Sequence, residues 1–321
     1  MSSESTEILT DFPPVLRIYK DGRIERLFGT PFTPPSSSSP DPITSVSSKD
    51  ILISPNLPAR IFLPKLTEHN QKLPILIYFH GGGFCGESAF SSLNHSYLNI
   101  LISQAMAIGI SIEYRLAPEN PLPIAYEDCW AALQWVAAHL QNPNLDKDSW
   151  LLNHGNFDKI YLGGESAGAN IAYNLAMRAD VEKIIGNLKI FGVILSHPYF
   201  WGSKYEDNYM DQHKEHSLSY KIWMFAYPSA VNGIDNPMIN PMTDINNVRR
   251  IQCSKLFVSV AGIDRLRETG LVYVEALGKS GWNGEIDLVD SEGEDHVFHI
   301  LNSHSEKAKY LIKRLASFIR D

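Results

Sequence analysis

The stretch IYLGGESAG at 160–168 runs directly into ANIAYNLAMRA at 169–179. The first part has the apolar character of a buried strand, and the second has the spacing of a helix. Between them stands the pattern G-x-S-x-G, whose glycines permit the sharp strand-to-helix turn that lifts the Ser166 hydroxyl clear of a sheet. The N-terminus of the following helix favours negative charge at the same place. The sequence therefore predicts an α/β fold with Ser166 as a nucleophile.

A second glycine-rich motif, HGGG at 80–83, ends the apolar strand pattern LPILIYFH. Consecutive glycines leave backbone N–H groups bare enough to point at a substrate oxygen. We predict that the amides of Gly82, Gly83 and Ala167 form an oxyanion hole. The alternative is a flexible turn without function, but the two motifs follow strands in the order that this kind of site uses.

A serine hydroxyl needs a base that takes its proton, and the base needs a third group that holds its tautomer. The order Ser, acid, His places the acid at Asp264, after KLFVSVAG, and the base at His296, after EIDLVD. His299 is an alternative base, although it lies inside the apolar run VFHIL. Asp295 adjoins His296, but neighbouring side chains in an extended segment diverge, so Asp264 is the better orienting group.

Metal and cofactor motifs are not visible in the sequence. The remaining histidines, among them His139, His154, His197 and His213, show neither H-E-x-x-H spacing nor accompanying cysteines. There is also no P-loop. We therefore predict that the protein binds no metal and needs no cofactor.

Composition limits the class of partner. The chain has 321 residues, 44% of them hydrophobic, which suits one domain over 1–321. The net charge of −8 and the absence of a basic stripe argue against nucleic acid and membrane partners. No apolar run reaches the roughly 20 residues of a membrane span. The polar start MSSESTEILT and three widely spaced cysteines favour a cytoplasmic location.

Hydrophobic patterns predict the order of the elements. Residues 15–28 alternate around Asp21-Gly22, which is typical of an edge hairpin, and TPPSSSSPDP at 33–42 predicts an exposed loop. Parallel strands buried on both faces are predicted in five apolar runs, at 73–79, 106–114, 158–163, 189–196 and 255–261. An amphipathic helix after Pro123 is predicted from six residues at intervals of three and four: Tyr126, Cys129, Trp130, Leu133, Val136 and Leu140. The aromatic segment 200–235 breaks the alternation and is interpreted as an inserted helical cap.

Together these stretches resemble the plant carboxylesterases of the hormone-sensitive-lipase branch of the α/β hydrolases. The resemblance covers nearly the whole chain and rests on YFHGGGF at 78–84, EYRLAPENPLPIAYEDCWAALQWV at 113–136, GESAGAN at 164–170, NPMINP at 236–241, GIDRLRE at 262–268 and DHVFHI at 295–300. It implies an α/β-hydrolase fold, with a mostly parallel central sheet, helices on both faces, and a helical cap formed by roughly 1–45 and 200–235.

The same resemblance implies a catalytic triad of Ser166, Asp264 and His296, with Gly82 and Gly83 in the oxyanion hole and no cofactor. It implies short acyl esters and plant secondary metabolites as substrates. We predict that such a small-molecule ester contacts five further residues: Phe84, Glu165, Trp201, Tyr209 and Trp223. We predict a monomer or a homodimer.

Three groups of relatives define the rival functions. The 2-hydroxyisoflavanone dehydratases are similar to this chain, but many have Thr where it has Ser166. Gibberellin receptors share the fold without the catalytic histidine, and His296 argues against that class. Cyclases and esterases of indole-alkaloid pathways resemble it at AYEDCWAALQWV and SGWNGE. The complete set of three catalytic residues favours ester hydrolysis, with an alkaloid methyl ester as one candidate substrate, and lyase, cyclase and receptor functions as alternatives.

Overall fold

A mostly parallel sheet forms the centre of the fold. The structure is a computed structural model that describes residues 7–36, 39–68, 70–142 and 147–321. Its strands are β1 (Ile8–Phe12), β2 (Leu16–Tyr19), β3 (Ile24–Arg26), β4 (Ser47–Ser54), β5 (Leu57–Leu63), β6 (Leu73–Phe79), β7 (Ile108–Ile112), β8 (Gly155–Glu165), β9 (Ile190–Ser196), β10 (Lys255–Ala261) and β11 (Glu285–Ser291).

Helices connect most of the strands of the central sheet. They are α1 (Ser92–Ala105), α2 (Ile124–Ala138), α3 (Ser149–His154), α4 (Ala167–Arg178), α5 (Ser203–His213), α6 (Leu218–Ala226), α7 (Arg267–Lys279), α8 (Phe298–Leu301) and α9 (Glu306–Arg320). Short 3-10 helices lie at Ile185–Asn187, Gly233–Asp235, Pro241–Asp244 and Val248–Arg250. Among the residues described, no helix is both long enough and apolar enough to cross a membrane.

Eight strands of the described chain form the central sheet, in the order β11-β10-β9-β8-β6-β7-β5-β4. The five strands from β6 to β10 run parallel to their neighbours within this group, and β11 adds a parallel edge next to β10. Strands β4 and β5 complete the opposite edge in antiparallel pairing. The five strands predicted from apolar runs are therefore confirmed as β6 to β10.

The side chains of β6 point alternately into two cores, which shows that the sheet is covered on both faces. Every residue of β6 is buried. Ile75 and Ile77 share a core with residues of α2 and α4, whereas Leu76 and Tyr78 share the other core with residues of α1 and α9. Successive side chains of a strand point to opposite faces, so a strand between two helical layers needs apolar residues throughout.

Helix α2 corresponds to the predicted amphipathic helix. Pro123 precedes it in the N-cap position, and five of the six predicted residues lie within Ile124–Ala138. Leu140 lies beyond its end and is 57% exposed. The helical period therefore holds only as far as the helix packs on the sheet.

The N-terminal hairpin forms in a different place from the one predicted. Strands β2 and β3 pair antiparallel around the turn at Asp21-Gly22, as the pattern indicates. However, β1 pairs with the other side of β2, and these strands form a separate three-stranded sheet in the described part of the N-terminus. The edge of the central sheet is β4 instead.

The two segments assigned to the cap contain both regular and irregular structure. Helices α5 and α6 occupy much of 200–235, and irregular chain occupies the described residues of 33–42. Residues 1–6, 37 and 38, which fall in the predicted cap and loop, lie outside the described residues. The arrangement of one domain with a cap stays a prediction.

The turn between β8 and α4 requires glycine at two positions because it packs against the end of β6. A Cβ atom on Gly164 or on Gly168 would overlap the backbone carbonyl oxygen of Phe79. Neither backbone can move away easily, since β6 and β8 are hydrogen-bonded neighbours in the middle of the sheet. Close contact between the two strand ends is therefore a condition of the fold.

We expect Gly168→Ala to lower the free energy of unfolding by about 3 kcal/mol or more, because the added methyl group meets backbone and not a movable side chain. The matched control is Gly278→Ala in α7, where an added Cβ meets nothing within 4 Å. That change is expected to be neutral or to stabilise by up to about 1 kcal/mol through helix propensity. Urea unfolding midpoints compare the two variants, and equal midpoints would contradict the packing explanation.

Candidate active site

Ser166 occupies a strained turn at the carboxyl end of β8. Its φ of 54° and ψ of −117° lie in a region that residues other than glycine rarely adopt. Its N–H donates to the Ser196 carbonyl at 2.9 Å, and its carbonyl accepts from the Tyr199 N–H at 3.1 Å. Strain of this kind persists where the surroundings enforce it, and it is common at functional sites. The surrounding backbone thus fixes the Ser166 turn at the carboxyl end of the central strand β8.

A cavity of about 730 Å³ opens over this turn. Its floor contains Ser166, the HGGG loop and two loops at the ends of β10 and β11. Its walls come from the segments next to the strand ends of the N-terminal sheet and from α6. They are mainly apolar: Pro14, Val15, Leu27, Phe28, Leu218 and Ile222. A volume in this range is typical of sites for small organic molecules.

Asp264 and His296 meet at this cavity from different strand ends. The Nδ1 atom of His296 lies 2.7 Å from Oδ2 of Asp264, and the Leu266 N–H donates to Oδ1 of Asp264 at 2.9 Å. Burial by itself would raise the pKa of Asp264, but hydrogen bonds from His197, His296 and Leu266 hold that pKa below its ordinary value. Asp264 therefore stays ionised and fixes the orientation of the His296 ring.

His197 is a second histidine on Asp264, and sequence reasoning gave it no role. Its Nδ1 atom lies 3.3 Å from Oδ2 of Asp264, to which it donates, and 3.2 Å from the backbone nitrogen of Val297. Burial lowers the pKa of His197, so its ring is neutral at pH 7. His197 directly follows β9. Binding sites form at the carboxyl ends of parallel strands, and this rule would have identified His197 from the sequence.

His197, Asp264 and His296 also form the group of described residues whose ligand atoms are close enough for a metal, all within 4.8 Å of one another. Hydrogen bonds account for this proximity, because the Asp264 oxygens already accept from His296 and from the Leu266 amide. Asp264 and His296 thus have the geometry of a carboxylate that orients an imidazole ring. The absence of a metal site stays a prediction.

Ser166 and His296 line the same cavity. In the described part of the chain, Ser166 forms hydrogen bonds through its backbone and none through its hydroxyl. The hydroxyl is therefore available to a molecule in the cavity. Hydrogen bonds between nucleophile and base are often long in unliganded sites and shorten when substrate binds.

The amides proposed for oxyanion binding are available as well. Gly82 has a φ of 90°, and a Cβ there would overlap the Gly86 carbonyl, so the loop requires glycine. The N–H groups of Gly82, Gly83 and Ala167 donate no hydrogen bond within the described residues. Gly82 and Gly83 line the cavity, and Ala167 is the first residue of α4, where N–H groups have no partner in the helix.

Glu165 connects the two glycine motifs. Its Oε1 atom accepts the Gly81 N–H at 2.7 Å, and its other oxygen accepts from the Tyr78 hydroxyl. Burial is the main reason why the pKa of Glu165 rises to about 8, while these hydrogen bonds act in the opposite direction. Glu165 is therefore largely protonated at pH 7. It lines the cavity, where it was predicted to contact substrate.

The other four predicted substrate contacts do not line the cavity. Phe84, Trp201 and Trp223 are at most 4% exposed, because they pack into the apolar core behind the wall. Tyr209, on α5, lies under the guanidinium of Arg265, which does line the cavity. The large aromatic side chains of Phe84, Trp201 and Trp223 therefore stabilise the wall and do not form its surface.

His299, the alternative base, is also placed away from the cavity surface. It is fully buried on α8 with its ring edge against Tyr97. Burial lowers its pKa strongly, so it remains neutral. Asp295 is exposed at the cavity and accepts the N–H of its neighbour His296, as a surface carboxylate does.

Comparisons with known proteins agree with this architecture. A family model described as alpha/beta hydrolase fold matches residues 76–300. A 2-hydroxyisoflavanone dehydratase of Glycyrrhiza echinata is 49% identical over 99% of this chain and 98% of its own, and probable carboxylesterase 5 of Arabidopsis thaliana is 45% identical over 98% and 99%. A solved esterase from Pyrobaculum calidifontis superposes with a TM-score of 0.67 and 25% identity over 85% of each chain. The chain therefore belongs to the esterase-like α/β-hydrolase family, alongside plant relatives named as carboxylesterases and dehydratases.

Proposed function

We propose that the protein is a serine carboxylesterase that hydrolyses short acyl or methyl esters of plant secondary metabolites, alkaloid esters among them, through an acyl-enzyme. The observation that carries this proposal is the 2.7 Å contact between His296 Nδ1 and Asp264 Oδ2, in a cavity that Ser166 also lines. A base with a fixed tautomer beside a strained serine is the arrangement that acyl transfer needs.

In the first half of the reaction, the Ser166 oxygen attacks the ester carbonyl carbon while Nε2 of His296 takes the hydroxyl proton. Asp264 stabilises the imidazolium that forms, because it is ionised and accepts from Nδ1. The tetrahedral oxyanion receives hydrogen bonds from the amides of Gly82, Gly83 and Ala167. Donors that are already in place cost no reorganisation when charge develops, which makes such amides effective.

Collapse of this intermediate breaks the bond to the alcohol oxygen, and His296 returns the proton to the leaving alcohol. A water molecule then attacks the acyl-enzyme, with His296 as base, and releases the acid and Ser166. Each half-reaction transfers one proton to the imidazole and one away from it. The neutral ring of His197 leaves His296 as the group on Asp264 that changes its protonation.

The walls of the cavity are mainly apolar, which favours compact, uncharged acyl or methyl ester groups next to Ser166. Val15 lies in the turn between β1 and β2, Phe28 lies in the chain after β3, and Ile222 lies on α6, so three segments surround the cavity. Burial of apolar substrate surface against such walls contributes roughly 25 cal/mol per Å². The cavity volume also admits a ring system attached to the ester.

A lyase, of the dehydratase or cyclase kind, is the second candidate, and the 49% identical relative named as a dehydratase favours it. An imidazole that takes a proton from carbon would start an elimination on the same scaffold. Analysis of products by mass spectrometry separates the two: hydrolysis adds water across the ester, whereas elimination removes water or an acid from the substrate. A receptor, the third class, would turn over neither.

We expect Ser166→Ala to reduce hydrolysis of p-nitrophenyl butyrate by about 10⁴-fold or more, because the acyl-enzyme cannot form. A fluorophosphonate probe should label the unaltered chain and not this variant. Ser219→Ala is the matched control, since Ser219 lines the same cavity from α6, and this variant should still be labelled. Turnover of the ester by Ser166→Ala at the normal rate would remove the nucleophile from the proposal.

The pKa of Glu165, raised from 4.5 to about 8, makes stability depend on pH. Between these values the folded chain holds a proton that the unfolded chain releases, so this group's contribution to stability decreases as pH rises. Glu165→Gln keeps the shape and removes the titration. We therefore expect the unfolding midpoint of the variant, relative to the unaltered chain, to increase from pH 5 to pH 8. Parallel pH curves in urea titrations would contradict this.

A further inference from the structure

Glu87 is a carboxyl group in the cavity wall for which the proposed reaction has no use. Glu87 lines the cavity and is 8% exposed. It comes directly after the tight turn in which the Gly82 carbonyl accepts hydrogen bonds from Cys85 and Gly86. It therefore belongs to the same loop as the oxyanion amides.

The backbone holds Glu87 in an unfavourable conformation. Its φ is 68°, in the left-handed region that a residue with a long side chain seldom adopts. A Cβ on Gly29 would lie 2.9 Å from the Cα of Glu87, and one on Gly82 would lie 3.0 Å from its Cβ. Packing from both sides therefore enforces the conformation, and strain that is enforced at a cavity is a reason to look for function.

Within the described residues, no basic side chain neutralises this carboxyl group. Its Oε1 atom accepts the N–H of the neighbouring Ser88 at 3.0 Å, and no Lys, Arg or His forms an ion pair with it. Arg60, the nearly buried arginine, forms its ion pair with Asp50 instead. A buried carboxylate without a counter-charge is costly unless something else supplies one.

Two neighbouring acids, Glu165 and Glu113, have raised pKa values. Burial is the main cause that raises the pKa of Glu165 to about 8 and that of Glu113 to about 7, and the negative charge of Glu87 adds to both. The charge of Asp264 is already used by His296. At the exposed side of the cavity, Arg265 and Asp295 carry opposite charges. The inner wall thus presents the Glu87 carboxyl group without an ion-pair partner among the described residues.

We propose that Glu87 binds a positively charged amine of the substrate, so that the preferred substrates are esters that carry a protonated or quaternary amine near the ester group. This inference rests on the proposed esterase function and names the substrate class of the same site. The cation would complete the charge balance of the inner wall. Its ester carbonyl would then reach the amides of Gly82 and Gly83, which lie in the same loop.

The test compares two esters of equal shape and different charge, acetylcholine and 3,3-dimethylbutyl acetate, with acetate release measured in a pH-stat. We expect kcat/KM of the unaltered chain to be about 10-fold higher for the cationic ester. Glu87→Gln should bring the ratio of the two kcat/KM values close to one. Asp295→Asn is the matched control, because it removes an exposed charge at the same cavity, and it should keep the ratio.

A ratio at or below one in the unaltered chain, or an unchanged ratio in Glu87→Gln, would overturn the inference while ester hydrolysis itself remained. Failure of both esters to react would count against the proposed function instead. Calorimetric binding of phenyltrimethylammonium then decides the inference without turnover. We expect affinity to fall about 10-fold in Glu87→Gln and to stay the same in Asp295→Asn, and equal affinity in both variants refutes the role of Glu87.

Discussion

The contact between Gly168 and the carbonyl oxygen of Phe79 is the constraint on which the site depends. It joins the carboxyl ends of β6 and β8, two neighbouring strands in the middle of the sheet. One strand end carries the HGGG loop and the other carries Ser166, so their close approach sets the amides beside the nucleophile. The Glu165 carboxyl group strengthens this connection from within, since it accepts the Gly81 amide across the same gap. The atoms proposed to react therefore lie at strand ends of the central sheet, while the apolar walls belong to other segments.

The acid and base depend in a similar way on three adjacent strand ends. Asp264 follows β10, His197 follows β9, and His296 follows β11. The backbone nitrogen of Val297 lies 3.2 Å from Nδ1 of His197, so the loop that carries the proposed base packs against the end of β9. A buried aspartate can remain ionised here because donors from these segments converge on it. Removing one donor would thus affect both the charge of Asp264 and the position of the loop.

Local patterns were sufficient to predict the parts of the site that follow strands. The apolar runs of β6, β8 and β10 are continuous, and motif residues follow them. The structure has Ser166 and Asp264 in one cavity at the carboxyl ends of these strands, while their catalytic roles stay predictions. The lining of the cavity could not be predicted, since it depends on which side of each helix faces inward. Trp223 illustrates this point: its indole N–H donates to the Gly233 carbonyl, so the ring is satisfied inside the wall. The N-terminal hairpin is a similar case, because its partner, β1, precedes the alternating pattern at 15–28 and completes a separate sheet.

The charge of Glu87 has a consequence for the reaction as well as for binding. A carboxylate at this position in the proposed oxyanion loop would oppose the negative charge that develops on the substrate oxygen. At an effective dielectric constant of about 20, two unit charges close together in one loop interact by roughly a few kcal/mol, which is comparable to the contribution of one oxyanion donor. A substrate cation beside Glu87 removes this opposition at the moment when the oxyanion forms. The loop would therefore select cationic esters in the transition state as well as in the bound complex, and the preference would lie partly in kcat.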